Sequence, residues 1–339
     1  MTIVGGLDVH RRQVTFDCLD SATGQVRRGR IAPATRGTFR SWLEQLPRPA
    51  VLAVEGCTGW RFIVEECQAA GVDVQLAEPA DTAAADGPKH RAKTDRADAR
   101  KIRELLADGR LPQSWIPPQQ VLEMRALLRL YKDLRDEHTA WVQRIHATLF
   151  HHGVPAPAGN LLADDQRARL VAGDGLSPAA PQAVLTALRT LDALDGEMAP
   201  LRRQLGTFAR RQPGCAVLLQ HYGVGPITAV AIWAELGDAR RFSSSRQAVR
   251  HAGLDVTVYS SDDKRSPGRL ARQGPPLLRW ALFEAAKCAG RPGAPDYAHY
   301  QQVKERCGGN RAALSVARKL VRRAHHALRA LGDEALIPA

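Results

Sequence analysis

Three β-rich runs stand ahead of the first helical pattern in this chain, at residues 3–9, 14–19 and 25–31, and that order restricts the fold more than any other feature. Residues 39–46 then read as a helix, 50–54 as a strand, 60–70 as a helix and 73–77 as a strand, which makes the order βββαβαβ. Turns as short as Asp20-Ser21-Ala22-Thr23-Gly24 cannot carry a crossover, so the first three strands must pair antiparallel. The βαβ unit that follows must pair parallel. A doubly wound parallel sheet is excluded, and the strand order expected is that of a mixed, RNase H-like α/β sheet.

Beyond this sheet the pattern turns helical. Between residues 118 and 211, Leu122, Leu127, Leu130, Leu134, Trp141, Ile145 and Leu149 recur at helical spacing, as do Val184, Leu188, Leu191, Leu194, Met198, Leu201, Leu205 and Phe208. Pro155, Pro157, Gly159, Gly173, Gly175 and Pro178 punctuate the stretch between them. A long helical hairpin or coiled coil is expected there, and a mostly α-helical zone after it. The domains predicted are therefore 1–112, 113–211 and 212–339.

A net charge of +13 favours a polyanionic partner, and with only eight lysines among 48 basic residues the guanidinium fork dominates, a group suited to phosphate. The most apolar stretch, residues 217–236, is interrupted by Gln220, His221, Gly223, Gly225 and Pro226, so no membrane span is expected. The six cysteines form no CxxC pair and the opening residues show no signal-peptide pattern, which points to a reducing cytoplasm.

Chemistry enters with the acids. Asp8 follows the apolar run Ile3-Val4-Gly5-Gly6-Leu7, and Glu55 follows Val51-Leu52-Ala53-Val54. A carboxylate at the end of an apolar strand loses solvation, and two on neighbouring strands repel unless a cation lies between them. Asp95 and Asp98 follow Thr94, a good N-cap, and share one face of a helix's first turn. Acids in a first turn also simply complement the helix dipole. In combination, four acids in the order strand, strand, helix start can hold one or two Mg²⁺, with Mn²⁺ as a substitute. Lys89, Arg91, Lys93, Arg96, Arg100 and Lys101 supply a basic setting around them.

In the last zone, Tyr222-Gly223-Val224-Gly225-Pro226-Ile227-Thr228 has the glycine spacing of a helix-hairpin-helix motif, whose tight turn lets backbone N–H groups approach a phosphate. A plain turn between helices has the same spacing. The adjacent pairs His151-His152 and His325-His326 diverge on a helix and are poor metal ligands, and Arg318, Lys319, Arg322, Arg323 and Arg329 form a basic tail that either tracks nucleic acid or is merely solvated.

Gly6-Leu7-Asp8-Val9-His10, Val54-Glu55-Gly56-Cys57-Thr58-Gly59 and Lys93-Thr94-Asp95-Arg96-Ala97-Asp98-Ala99 together resemble the DEDD motifs of insertion-sequence transposases with a RuvC-like N-terminal domain, the bridge-RNA-guided recombinases. The resemblance implies a metal-binding quartet of Asp8, Glu55, Asp95 and Asp98. Downstream, Tyr259-Ser260-Ser261-Asp262-Asp263-Lys264, Gly268-Arg269-Leu270-Ala271-Arg272 and Leu277-Leu278-Arg279 are similar to the family's second domain, which implies Ser261 as the nucleophile. Asp262 stands where that family has glycine, which leaves Ser260 or Ser266 open as the reactive residue. On this reading Lys93, Arg96, Gly223, Gly225, Lys264, Arg269, Arg272 and Arg279 meet nucleic acid, the partners are DNA and a structured guide RNA, and the protein is a homodimer or higher homo-oligomer. A RuvC-like nuclease of the junction-resolvase type needs the same acids and no serine. A non-enzymatic nucleic-acid-binding protein needs neither.

Overall fold

The computed structural model describes residues 2–84, 94–155, 162–256, 259–261, 264–266, 270–271 and 273–338. The chain divides into two compact units, Met1–Ile116 and Pro117–Ala339. The second unit thus takes in both the middle and the last of the three zones read from the sequence.

The first unit is built on a six-stranded mixed sheet of order β3-β2-β1-β4-β5-β6. Its strands are β1 (Ile3–Val9), β2 (Val14–Asp20), β3 (Val26–Ile31), β4 (Ala50–Glu55), β5 (Asp73–Ala77) and β6 (Gln113–Ser114). As the turn lengths require, β1 pairs antiparallel with β2 and β2 with β3, while β4 runs parallel to β1 and β5 to β4. The two-residue β6, which no alternation signals, closes the far edge antiparallel to β5.

One sheet face carries Ile3, Leu7, Val14, Cys18, Leu52 and Val54, buried under α1 (Arg36–Glu44) and α2 (Trp60–Ala69) with Phe39, Leu43 and Ile63. Helix α1 starts at residue 36 rather than 39 because Thr35 caps it, exchanging hydrogen bonds with Thr38. A Thr-x-x-Thr cap is a weaker signal than the usual Glu at the third position. After α3 (Pro79–Ala84), α4 (Asp95–Ala107) covers the opposite face, its Ile102, Leu105 and Leu106 packing on Ala53, Ala77 and Leu111.

The second unit is mostly helical. Helices α5 (Gln119–His151) and α7 (Ala180–Arg211) pack along each other, and Tyr131 meets Arg202 while His138 meets Asp195, a register that runs antiparallel in steps of one heptad. The buried stripe of α5 is Val121, Met124, Leu128, Tyr131, Ile145 and Leu149; Leu130, counted on the stripe from spacing alone, is 48% exposed. The expected break between the two helices holds a further one, α6 (Asp164–Ala172), with two acids in its first turn and Gly173 in the left-handed region at its end.

Helices α8 (Pro213–Leu218) and α9 (Pro226–Leu236) follow, and α9 is buried without interruption from Ala229 to Leu236, including Glu235, which lies 3.6 Å from Arg125. Then come α10 (Ser245–His251), a hairpin of β7 (Tyr259–Ser261) and β8 (Lys264–Ser266), α11 (Pro276–Lys287), α12 (Tyr297–Cys307) and α13 (Gly309–Leu331). No described helix is long and apolar enough to cross a membrane.

Candidate metal centre

The position of α4 decides the site. A Cβ at Gly6 would run into the Ala99 carbonyl oxygen and the Arg103 backbone nitrogen, so only glycine lets the helix lie this close to β1. The contact is fixed electrostatically as well. Arg103 is buried and donates Nε to Asp17 Oδ1 on β2 at 2.6 Å, while Asp17 Oδ2 accepts from Arg28 Nε on β3 at 2.6 Å. Thr94 caps α4 by accepting from the Ala97 N–H at 3.2 Å, which sets Asp95 and Asp98 in the first turn.

Asp8 lies on the same sheet face, two residues along β1 from Gly6, and Glu55 ends β4 one step beyond the last β1–β4 pair, Leu7 with Val54. Asp8, Glu55, Asp95 and Asp98 consequently line one cavity of about 910 Å³, together with His10 and Thr94 among others. Burial, with the nearby charges of Asp95 and Asp98 adding to it, raises the Asp8 carboxyl above the usual carboxylate range against the opposing pull of His10.

Two further residues complete the arrangement. His10 Nε2 lies 3.0 Å from Asp8 Oδ2 and 3.4 Å from Asp95 Oδ1, and Gln13 donates Nε2 to Asp95 Oδ2 at 3.0 Å. Sequence reasoning quoted His10 and gave it no role. The signal was available, since a residue two positions after Asp8 falls on the same side of an extended chain. Gln13 reaches the site through the β1–β2 turn, which no local pattern announces.

The donor set fits a divalent cation. Hard carboxylate oxygens suit Mg²⁺ or Mn²⁺, and a cation would offset both the burial that chiefly raises the Asp8 carboxyl and the smaller repulsion from Asp95 and Asp98. Asp8, His10 and Asp95 already hold one ligand atom each within 4.8 Å of one another.

The remaining residues singled out from sequence lie elsewhere. Ser261 belongs to the second unit, where it ends β7, paired in register with Lys264 of β8, and Ser260 and Ser266 are in the same two strands. A hairpin thus stands where the sequence suggested a polar loop. Arg96 is exposed in the first turn of α4, while Lys93, Arg269 and Arg272 lie outside the described residues.

Gly223, at φ +83°, abuts α11, where a Cβ would meet the Ala285 carbonyl oxygen; Gly225 has open space beside it and donates its N–H to Thr228 Oγ1 at 2.9 Å. The Arg279 guanidinium donates to the Gly274 carbonyl at 3.0 Å and so braces the chain before α11. His152 bridges Thr148 O and Ser177 Oγ, and His325 is buried beside Phe242.

A family model of IS110-type DEDD transposases, described as "Transposase", matches residues 5–152, and a second, described as "Transposase IS116/IS110/IS902 family", matches residues 215–301. Similar curated proteins include a "Probable family 20 transposase" of Pseudomonas aeruginosa, 26% identical over 85% of this chain and 86% of its own length. The transposases for insertion sequence elements IS1328 of Yersinia enterocolitica and IS1111A of Coxiella burnetii are each 26% identical. They cover 83% and 79% of this chain, and 82% and 74% of their own lengths.

Proposed function

Since the chain belongs to the IS110/IS116 insertion-sequence transposases and is a DNA transposase, we propose that it cuts and rejoins DNA through two sets of its own residues: Asp8, Glu55, Asp95 and Asp98 as a Mg²⁺-binding centre, and Ser261 as nucleophile. The observation that supports the first set most is the convergence of four acids from three elements on one cavity. The DEDD family implies a divalent metal, and Mg²⁺, replaceable by Mn²⁺, suits an all-carboxylate donor set. Such an ion, when bound, offsets negative charge at a phosphodiester and favours the deprotonated nucleophile. His10, with Nε2 3.0 Å from Asp8 and 3.4 Å from Asp95, orients both carboxylates.

The serine half of the proposal rests on what recombination requires. A strand that is to be rejoined cannot lose the energy of its phosphodiester to water. The Ser261 Oγ attacks phosphorus, the bond to the departing strand's oxygen breaks, and that oxygen takes the proton that serine gives up. In the second transfer the hydroxyl of the incoming strand attacks the phosphoserine, and serine regains a proton. Lys264, the cross-strand neighbour of Ser261, stabilises the developing charge with Arg265, Arg269 and Arg272. The turn between α8 and α9 acts as a helix-hairpin-helix contact to DNA through its Gly225 side, and the partners include a structured guide RNA and further copies of this chain.

Ser261→Ala should retain DNA binding and lose both the covalent protein–DNA adduct and strand exchange, whereas Asp8→Asn should lose both reactions together with Mn²⁺ binding. An S261A variant that still recombines DNA while Ser260→Ala does not would transfer the role to Ser260. If both serine variants recombine normally, the nucleophile is not a serine of this hairpin.

A further inference from the structure

The sheet register places a cation beside the carboxylate centre that the sequence did not single out. Across the face that α4 covers, Asp8 on β1 pairs with Thr15 on β2, and Thr15 pairs with Arg30 on β3, the edge strand. The side chain of Arg28, two residues earlier on β3, reaches Asp17 on this same face, and the two-residue period of a strand puts Arg30 on it too. Two strand spacings separate Arg30 from Asp8, roughly 10 Å of backbone.

Arg28 and Arg103 share Asp17, and Arg103 pairs with Glu104 as well, but Arg30 is exposed and in no ion pair among the described residues. Arg11, in the β1–β2 turn, is likewise exposed, is in no ion pair among the described residues, and lines the carboxylate cavity itself. Among the described residues, two guanidinium groups without an ion-pair partner therefore lie beside a cluster of acids that would otherwise repel a phosphate chain, Arg30 on β3 and Arg11 in the β1–β2 turn.

We infer that Arg30 and Arg11 hold the phosphodiester backbone of the DNA strand that is cut, on the β3 side of the carboxylate centre. This rests on the carboxylate centre proposed above. Arg30 stands on the edge strand and is not among the residues that line the carboxylate cavity, so its role is to grip flanking phosphates and position the strand, whereas Arg11 lines the cavity itself. The plainer explanation of an arginine on an edge strand is that charge prevents edge-to-edge pairing. That would be served by any position on β3, and Arg27, exposed on the other face, already serves it.

The test uses the full-length protein and a 30-nucleotide single-stranded DNA. Two lost phosphate contacts should reduce the slope of log K against log salt by about 1.4 in an Arg11→Ala/Arg30→Ala double variant. An Arg30→Lys variant should recover most of the slope lost in Arg30→Ala, since a point charge suffices at a flanking phosphate. Mn²⁺ binding without DNA, read by electron paramagnetic resonance, should be no weaker than that of the wild type, since the double variant removes positive charge from around the acids. An unchanged salt slope in the double variant overturns the inference, as does a loss confined to RNA of the same sequence, or self-association of Arg30→Ala with DNA binding intact. Absence of Mn²⁺ binding in the wild type would refute the carboxylate centre instead, and the salt slope would still report on the arginines.

Discussion

The two units deploy charge in opposite ways. In the first, Asp8 and Asp95 are in no ion pair with an arginine or lysine among the described residues and meet His10 and Gln13 instead, while arginine pairs are set apart at Asp17 and at Glu66. In the second, it is the basic groups that the fold consumes. Arg318 donates to the Leu254 carbonyl, Arg323 pairs with Asp296, Arg329 donates to the Phe242 carbonyl, and Arg125 lies 3.6 Å from the buried Glu235. The basic tail read from sequence as either nucleic-acid-tracking or solvated thus has a third use, pinning α13 to its neighbours. A net charge of +13 says that the chain suits a polyanion. Where the polyanion lies depends on which charges remain unneutralised after folding.

The contrast breaks most visibly at Asp17. Replacing it with alanine removes the buried partner of Arg103 and leaves that guanidinium only the half-exposed Glu104 at 3.3 Å, a change that costs about 3 kcal/mol. Because Arg103 ties α4 to β2, the Asp17→Ala variant should unfold at markedly lower urea and bind Mn²⁺ more weakly, although Asp17 is not itself in the cavity. A normal urea midpoint would mean that α4 is held by the Gly6 contact and its apolar face alone.

This coupling also shows where the sequence was readable. Strand order, the acids at the ends of β1 and β4, and the Thr94 cap follow from patterns of period two and from local cap chemistry, which act over a few residues. What could not be read depends on register between distant segments. Asp17 looks like an ordinary polar residue in a strand until Arg103, 86 positions later, is brought against it. Gln13 and Arg30 acquire meaning only once β1, β2 and β3 are aligned. In the second unit Arg279 and Gly223, which fit a nucleic-acid pattern in the sequence, also have a packing duty inside the unit that only the folded chain reveals.

A somewhat smaller effect is expected from pH. Burial, and after it the Arg241 guanidinium, push the His251 ring down to about 4 from the ordinary 6.5, with Nε2 3.2 Å from Arg241 and 3.3 Å from the Glu235 carbonyl. The folded protein keeps this ring neutral where the unfolded chain already binds a proton. Its contribution is therefore complete above about pH 6.5, declines as pH falls through the window down to about 4, and levels off below, a change of about 3 kcal/mol. Melting temperature against pH should fall more steeply in the wild type than in His251→Gln across that window. Parallel curves would show that the ring is accessible to protons in the folded state.

The smallest effect separates the two kinds of arginine directly. Arg318 and Arg329 each donate to one carbonyl oxygen, at 2.6 and 2.9 Å, and a hydrogen bond from a charged donor is worth about 1.5 kcal/mol. Arg318→Gln and Arg329→Gln should each lower the unfolding free energy by about that amount, while the salt slope of DNA binding stays at the wild-type value. Arg30→Ala should do the reverse, leaving urea unfolding unchanged because the side chain is exposed and lowering the slope because its charge is free. The pair of measurements is needed, since a destabilised variant can lose affinity through its unfolded fraction, but that loss does not alter the number of counterions released. If Arg318→Gln and Arg329→Gln lower the slope as much as Arg30→Ala does, the carbonyl contacts of α13 give way to phosphate when DNA arrives, and the division of charge between the two units would hold only for the free protein.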